Sequence, residues 1–174
     1  PPLAIAKWAF NEGLPLDQSQ ALIPRFHASL PGPDKTVSYL TMPDGRALLM
    51  DIWQPAANTK SAGGLPVVVR IHGGAWVRGR RGELAEWNRW LRQLGFLVLD
   101  VDYRMPPEAG WRDEVGDVKC AIGWIVAHAQ ELEIDPKRIY LMGGSAGGNL
   151  AMLAAYGMSE KELEPTCSVS GVSI

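Results

Sequence analysis

Several things are scarce in this 174-residue chain, and each scarcity closes off a class of protein. It has two cysteines, too few for a disulfide framework. Cys120 falls on a predicted helix and Cys167 at the start of a predicted strand, so both are expected as buried free thiols. No apolar run reaches the ~18 residues that a membrane helix needs. A formal net charge of −2 argues against nucleic acid or another polyanion as partner. Histidine occurs three times, at His27, His72 and His128, which limits any acid–base chemistry the chain supplies by itself. The compartment is not fixed by composition; the lean is to the cytoplasm, and the start at Pro1 instead of Met leaves room for a removed leader.

Apolar residues and glycine are plentiful. Hydrophobic residues make up 47% and charged ones 21%, so a chain of this length buries a core. An N-terminal segment, residues 1–33, mixes short helical runs (Leu3 to Phe10, Asp17 to Phe26) with Pro and Gly breaks and is expected as an arm or cap. Residues 34–174 are expected to form the main domain. Two antiparallel strands, Thr36 to Thr41 and Ala47 to Gln54, flank the turn signal Met42-Pro43-Asp44-Gly45. After a small, polar linker, Pro55 to Gly64, strands and helices alternate. The order is strand Pro66 to Ile71, helix Glu83 to Leu94, strand Phe96 to Val101, helix Asp113 to Leu132, strand Arg138 to Met142, helix Ala146 to Tyr156 and strand Cys167 to Ile174. Strands separated by helices of this length predict an α/β fold with a mostly parallel sheet flanked by helices.

The chemistry concentrates in Met142-Gly143-Gly144-Ser145-Ala146-Gly147-Gly148, directly after the apolar run Arg138 to Leu141. This is the sequence form of a nucleophile elbow, a strained strand-to-helix turn with the serine at its tip. Gly143 and Gly147 stand two residues before and two after Ser145, where a larger side chain would collide with neighbouring backbone. The helix beginning at Ala146 would turn its free N–H groups and positive dipole end toward any anion formed at the serine. A second motif strengthens the first. The apolar run Leu65 to His72 leads into Gly73-Gly74-Ala75-Trp76, a buried strand followed by a glycine-rich loop. An oxyanion hole needs such a loop, because donors about 3 Å from the oxyanion require backbone that comes very close.

His72-Gly73-Gly74-Ala75-Trp76, Asp102-Tyr103-Arg104 with Pro106 and Glu108, Asp135-Pro136-Lys137-Arg138-Ile139 and Gly143 to Asn149 together resemble the hormone-sensitive-lipase-like branch of the α/β-hydrolases. The resemblance runs from about Val37 onward. It implies an α/β-hydrolase fold, a carboxylic-ester hydrolase acting on a small acyl ester through a Ser-Asp/Glu-His triad, and neither metal nor organic cofactor. Ser145 would be the nucleophile, and the N–H groups of Gly74, Ala75 and Ala146 would hold the oxyanion, with Gly73 supporting them in the same loop. Arg104 and Asp117 resemble a family pair that braces the loop near the elbow. The Gly-Gly-Ala sequence of the oxyanion loop departs mildly from the three glycines frequent in that branch.

The second departure is large. In that branch the acid and the histidine follow the serine, but no histidine follows Ser145 here, and the only acids after it are Glu160, Glu162 and Glu164 in a polar connection. His72 belongs to the oxyanion loop, where its expected task is structural. His128 falls at the edge of a helical apolar stripe and is expected half-exposed. The triad acid and histidine are therefore expected outside this chain. A second polypeptide, most simply the C-terminal part of the same precursor, is expected to complete the sheet and cover the edge left by the last strand. The alternatives are a non-catalytic small-molecule-binding protein on the same fold, as in the gibberellin receptors, and a fragment whose only role is association. Trp76 and Trp111 are possible walls of an acyl or alcohol pocket, with core packing the commoner fate of tryptophan. Trp87 and Trp90 are expected to pack on the sheet or a cap, and Arg78, Arg80 and Arg81 to form a solvated loop.

Overall fold

The computed structural model describes residues 31–55, 63–157 and 160–167. Apart from Pro31 these belong to one compact unit, Gly32–Ile174. The helical runs expected before residue 31, residues 56–62 of the linker and all but Cys167 of the last expected strand lie outside the described residues.

A five-stranded mixed sheet forms the centre. β1 (Lys35–Thr41) and β2 (Ala47–Trp53) form an antiparallel hairpin. Gly45 adopts φ 87° in its turn, and the Asp44 carboxylate accepts the Arg46 N–H at 3.0 Å, so the chain reverses where glycine and aspartate were expected to reverse it. β2 runs antiparallel to β4 (Leu97–Val101), while β3 (Leu65–Ile71) lies parallel to both β4 and β5 (Ile134–Gly143). The spatial order is β1-β2-β4-β3-β5. Strand β5, which delivers the Gly-Ser motif, thus stands at the end of this order.

Helices cover both faces. α1 (Ala85–Gln93) buries Asn88 and Leu91, the latter against Trp53, Val68 and Val98. α2 (Trp111–Ala127) and α3 (Ala146–Tyr156) lie on the other face over Met50, Leu99, Val67, Val69 and Ile71. The two central parallel strands, β3 and β4, are buried on both faces, as strands between helix layers must be, and therefore read as continuous apolar runs.

Several boundaries and contacts differ from expectation for identifiable reasons. α2 begins two residues before Asp113, whose carboxylate accepts the Gly110 N–H at 3.0 Å. It stops at Ala127, before a turn in which Glu133 has φ 54° leads into the next strand. β5 begins at Ile134 and takes in Pro136 at a register break, where the missing N–H leaves no ladder bond unmade. Cys120 and Cys167 are not free thiols: they form a disulfide, closing a loop of 47 residues between α2 and the segment after α3. Trp87 and Trp90 are not packed on the sheet; both are exposed and meet edge to face at 5.6 Å. Arg81 is not merely solvated, since its Nε donates to Asp51 at 2.9 Å and its guanidinium also pairs with Asp102.

Candidate active site

Ser145 sits at the junction of β5 and α3 with φ 54° and ψ −122°, exposed to solvent. No helix or strand uses these angles, and a side-chain-bearing residue persists in them only when its surroundings impose them. The imposing contacts come from glycines. A Cβ on Gly143 would lie 2.3 Å from the Gly147 carbonyl carbon, and one on Gly147 would lie 2.2 Å from the Ile71 carbonyl oxygen. The turn therefore closes on itself and on the end of β3 at distances that exclude any side chain. Gly147 N–H donates to Gly144 O at 3.0 Å and Asn149 N–H to Ser145 O at 3.1 Å, which starts α3 directly after the serine.

The loop after β3 faces this turn. A Cβ on Gly73 would be 2.8 Å from Gly144 O and 3.6 Å from Ser145 Cβ, so the two motifs, far apart in sequence, are in contact. Gly74 (φ 130°), Ala75 (φ 56°) and Trp76 (φ 60°) form a run of positive φ, with Val77 and Arg78 N–H both donating to Gly74 O at 3.2 Å. At Gly74 a Cβ would overlap the Arg78 carbonyl oxygen, so this position admits no side chain. Among the described residues, the N–H groups of Gly74, Ala75 and Ala146 donate to none of the loop and cap carbonyls.

His72 is buried, 4% exposed, with Nδ1 2.8 Å from Gly73 O. A carbonyl only accepts, so Nδ1 carries the ring proton in this contact. The imidazole is stacked on Tyr103 at 4.2 Å, and the Tyr103 hydroxyl donates to His72 O at 2.9 Å. Gly79 closes the far side, since a Cβ there would lie 2.4 Å from His72 Nδ1. His128 is remote from this arrangement: its Nδ1 bonds Trp124 O at 2.8 Å and its ring stacks on Trp124 at 3.8 Å. His27 lies outside the described residues.

Arg104 and Asp117 meet as a bidentate pair. Arg104 Nη2 donates to Oδ1 at 2.7 Å and Nε to Oδ2 at 2.9 Å, while the Arg104 backbone N–H reaches Oδ2 at 3.0 Å. Asp117 is fully buried and also accepts from the Thr166 hydroxyl at 2.7 Å.

Some participants were not singled out in the sequence. Tyr103 braces the loop through a contact visible only in three dimensions. Asp100 accepts from Gly82 N–H at 3.0 Å and from Asn88 at 2.6 Å, anchoring the segment between the loop and α1; burial raises its carboxyl above the usual range. Glu114 is 0% exposed with neither carboxylate oxygen hydrogen-bonded. Burial first, and then the charges of Asp117 and Asp113, push its pKa up to about 7. Lys119 is buried too, its Nζ donating to Gly157 O at 2.9 Å at the end of α3. Only the placement of Glu114 at the edge of a helix's apolar stripe hinted at such a role.

Ser145 lines a cleft of about 750 Å³ together with His72, Gly73, Gly74, Arg78 and Met142. Arg70, 5% exposed, and Glu83 add charge to its wall. No group of acids, histidines and cysteines able to hold a metal occurs among the described residues, and no described helix is long and apolar enough to cross a membrane.

Residues 50–173 match the BD-FAE family. The probable carboxylic ester hydrolase LipM of Mycobacterium tuberculosis is 38% identical over 122 residues, 70% of this chain and 28% of LipM. The esterase LipQ of the same organism is 32% identical over 142 residues, 78% of this chain and 34% of LipQ. Among solved structures, the thermophilic esterase Est2 of Thermogutta terrifontis superposes with a TM-score of 0.63 at 32% identity, covering 68% of this chain and 42% of that one. The same esterase phosphonylated by sarin gives 0.64 at 31% identity, covering 74% and 46%. The chain thus spans about a third of the length of these curated relatives. By the match over residues 50–173 and by its α/β-hydrolase sheet, the chain belongs to the BD-FAE family.

Proposed function

We propose that this chain carries the nucleophile and the oxyanion-binding half of a serine carboxylic-ester hydrolase. The observation that carries the reading is Ser145 itself, an exposed hydroxyl held at φ 54° beside the positive-φ loop that follows β3. Strain of this kind, concentrated where two loops meet, marks sites at which geometry serves chemistry. The relatives named as esterases point the same way.

Ser145 Oγ attacks the ester carbonyl carbon, and its proton passes to a general base. The tetrahedral oxyanion is received by the N–H groups of Gly74, Ala75 and Ala146, with Gly73 shaping the same loop. Collapse breaks the bond to the alcohol, which leaves with the proton, and water then releases the acid from the acyl-enzyme. We read His72 as a brace of the loop and not as the base: its Nδ1 holds Gly73 O, its ring is stacked on Tyr103, and its Nε2 is buried with no hydrogen bond to Ser145 among the described residues. Its part is to hold the loop, as Gly143 and Gly147 hold the turn and Arg104 and Asp117 brace the neighbouring segment. We place the base and its orienting acid outside the described residues, on the C-terminal part of the same precursor or on a second polypeptide. The Cys120–Cys167 disulfide supports an oxidising compartment over the cytoplasm.

The test is Ser145→Ala in the whole protein, assayed with a short-chain ester. The expected result is a loss of at least ~10³-fold in kcat at unchanged folding. Retained turnover would overturn the assignment.

A further inference from the structure

The cleft that Ser145 lines also holds Arg70, a cation for which the chemistry described above has no use. Arg70 stands in β3, two residues before His72. Its neighbour across the sheet in β5 is Met142, and Ile71 stands opposite Gly143. Ser145 follows Met142 by three residues, so at ~3.3 Å per residue Arg70 lies no more than about 10 Å down the strands from the serine. The serine and the guanidinium thus share one cleft of about 750 Å³, a size that takes a small molecule. Trp76 and Trp111 line a separate groove, with Asn149 and Leu153.

Arg70 is buried, 5% exposed, yet poorly matched by its surroundings. Its Nε has no hydrogen bond, and its Nη2 reaches one acceptor, the Glu83 carbonyl, at 3.3 Å. No carboxylate among the described residues forms an ion pair with it. Asp100, its register partner in β4, eases the burial of the positive charge but accepts from Gly82 N–H and Asn88 instead. Asp51 and Asp102 hold Arg81. Arg78, the second arginine of the cleft wall, is exposed and in no ion pair among the described residues, and Glu83 is exposed as well. A buried guanidinium with idle donors is unfavourable, because nothing replaces the water it has lost. Its planar fork of N–H groups matches a carboxylate, which accepts two parallel bonds from it.

We propose, resting on the esterase reading above, that Arg70 receives a carboxylate carried by the substrate, so that the preferred substrate is an ester with an anionic far end, such as a monoester of a dicarboxylic acid. Ser145, exposed, takes the ester carbonyl, while Arg70, buried in the same cleft, holds the anion. Arg78 adds a second positive charge that draws the anion in. The carboxylate supplies the acceptors that the protein around Arg70 does not, and a neutral ester of the same length leaves those donors unmet.

The experiment compares kcat/KM of the whole protein for monomethyl glutarate and dimethyl glutarate, in wild type, Arg70→Gln and Arg70→Lys. Wild type is expected to favour the acidic ester, and the acidic-to-neutral ratio to fall roughly tenfold or more in Arg70→Gln. Arg70→Lys, which keeps the charge but loses the fork, retains part of the preference, and this separates loss of the cation from general damage. A measurement on wild type alone covers the case in which the variants do not fold: glutarate should inhibit turnover of dimethyl glutarate competitively, and uncharged glutaramide should not. If the ratio in Arg70→Gln stays within about twofold of wild type, or glutarate does not inhibit, while Ser145→Ala removes turnover of both esters, Arg70 is matched by another part of the protein and the proposal falls alone. If Ser145→Ala leaves turnover intact, the esterase reading fails and the assignment of Arg70 to substrate fails with it.

Discussion

Gly147 sits so close to the end of β3 that a methyl group on it would lie 2.2 Å from the Ile71 carbonyl oxygen and 2.5 Å from that of His72. The first turn of α3 is thereby locked to the strand that launches the oxyanion-like loop, and the position of Ser145 is set by backbone contact instead of side-chain packing. A strand end shifts less readily than a side chain, which makes this placement rigid.

The contact predicts the outcome of two neighbouring substitutions. Gly147→Ala forces β3 and α3 apart and is expected to cost about 3 kcal/mol or more, in the range of severe overpacking. Gly144→Ala meets nothing within 4 Å and does not need a positive φ, so it is expected to cost less than about 1 kcal/mol. Urea unfolding of both variants checks the difference; equal costs would contradict the close approach at Gly147.

Glu114 gives a pH signature. Burial pushes its pKa up to about 7 from the ordinary 4.5, so the neutral acid is the form the fold tolerates. Stability from this group is therefore full below about pH 4.5 and is lost as the pH rises through 7. Glu114→Gln removes the ionisation. The variant's stability relative to wild type should increase between pH 5 and pH 8, by up to about 3 kcal/mol. Asp100, raised in the same direction by burial, is common to both proteins and cancels in the comparison. A difference independent of pH would show that Glu114 ionises without penalty.

The disulfide is expected to matter for stability. Closing a loop of 47 residues restricts the unfolded chain by about 4 kcal/mol in the chain-entropy description. The Cys120→Ser, Cys167→Ser double variant should lose ~2–4 kcal/mol, read as a shift in the urea midpoint, and reductant should lower the wild-type midpoint by a similar amount. No effect from either treatment would mean that the two ends are held together by other contacts, such as Thr166 on Asp117.

The parts of this structure that were legible in the sequence are those encoded locally. Alternating apolar runs and helical stripes announced β3, β4 and α3 closely, and the glycines around Ser145 announced the turn, because the requirement for a missing Cβ is written in the residue itself. Less legible were features that depend on partners distant in the chain. Tyr103 beneath His72, Asp100 beneath Gly82 and the pairing of Cys120 with Cys167 join segments whose proximity only the sheet order creates. Trp87 and Trp90 misled in the opposite sense. Their spacing of three suggested packing on the sheet or a cap, but α1 turns Leu91 and Asn88 toward the sheet and leaves the indoles against each other. The strand expected from Arg138 begins instead at Ile134, because the register break beside Pro136 absorbs the missing donor.

The central claim is that Ser145 is a nucleophile held in reach of waiting amide donors. It is tested most directly by incubating the whole protein with a reactive organophosphonate and mapping the adduct by peptide mass spectrometry. A single covalent phosphonyl group is expected on the peptide containing Ser145, absent from Ser145→Ala, with loss of ester turnover in proportion to labelling. A folded protein that turns over ester while Ser145 stays unmodified, or that labels at another serine, would contradict it.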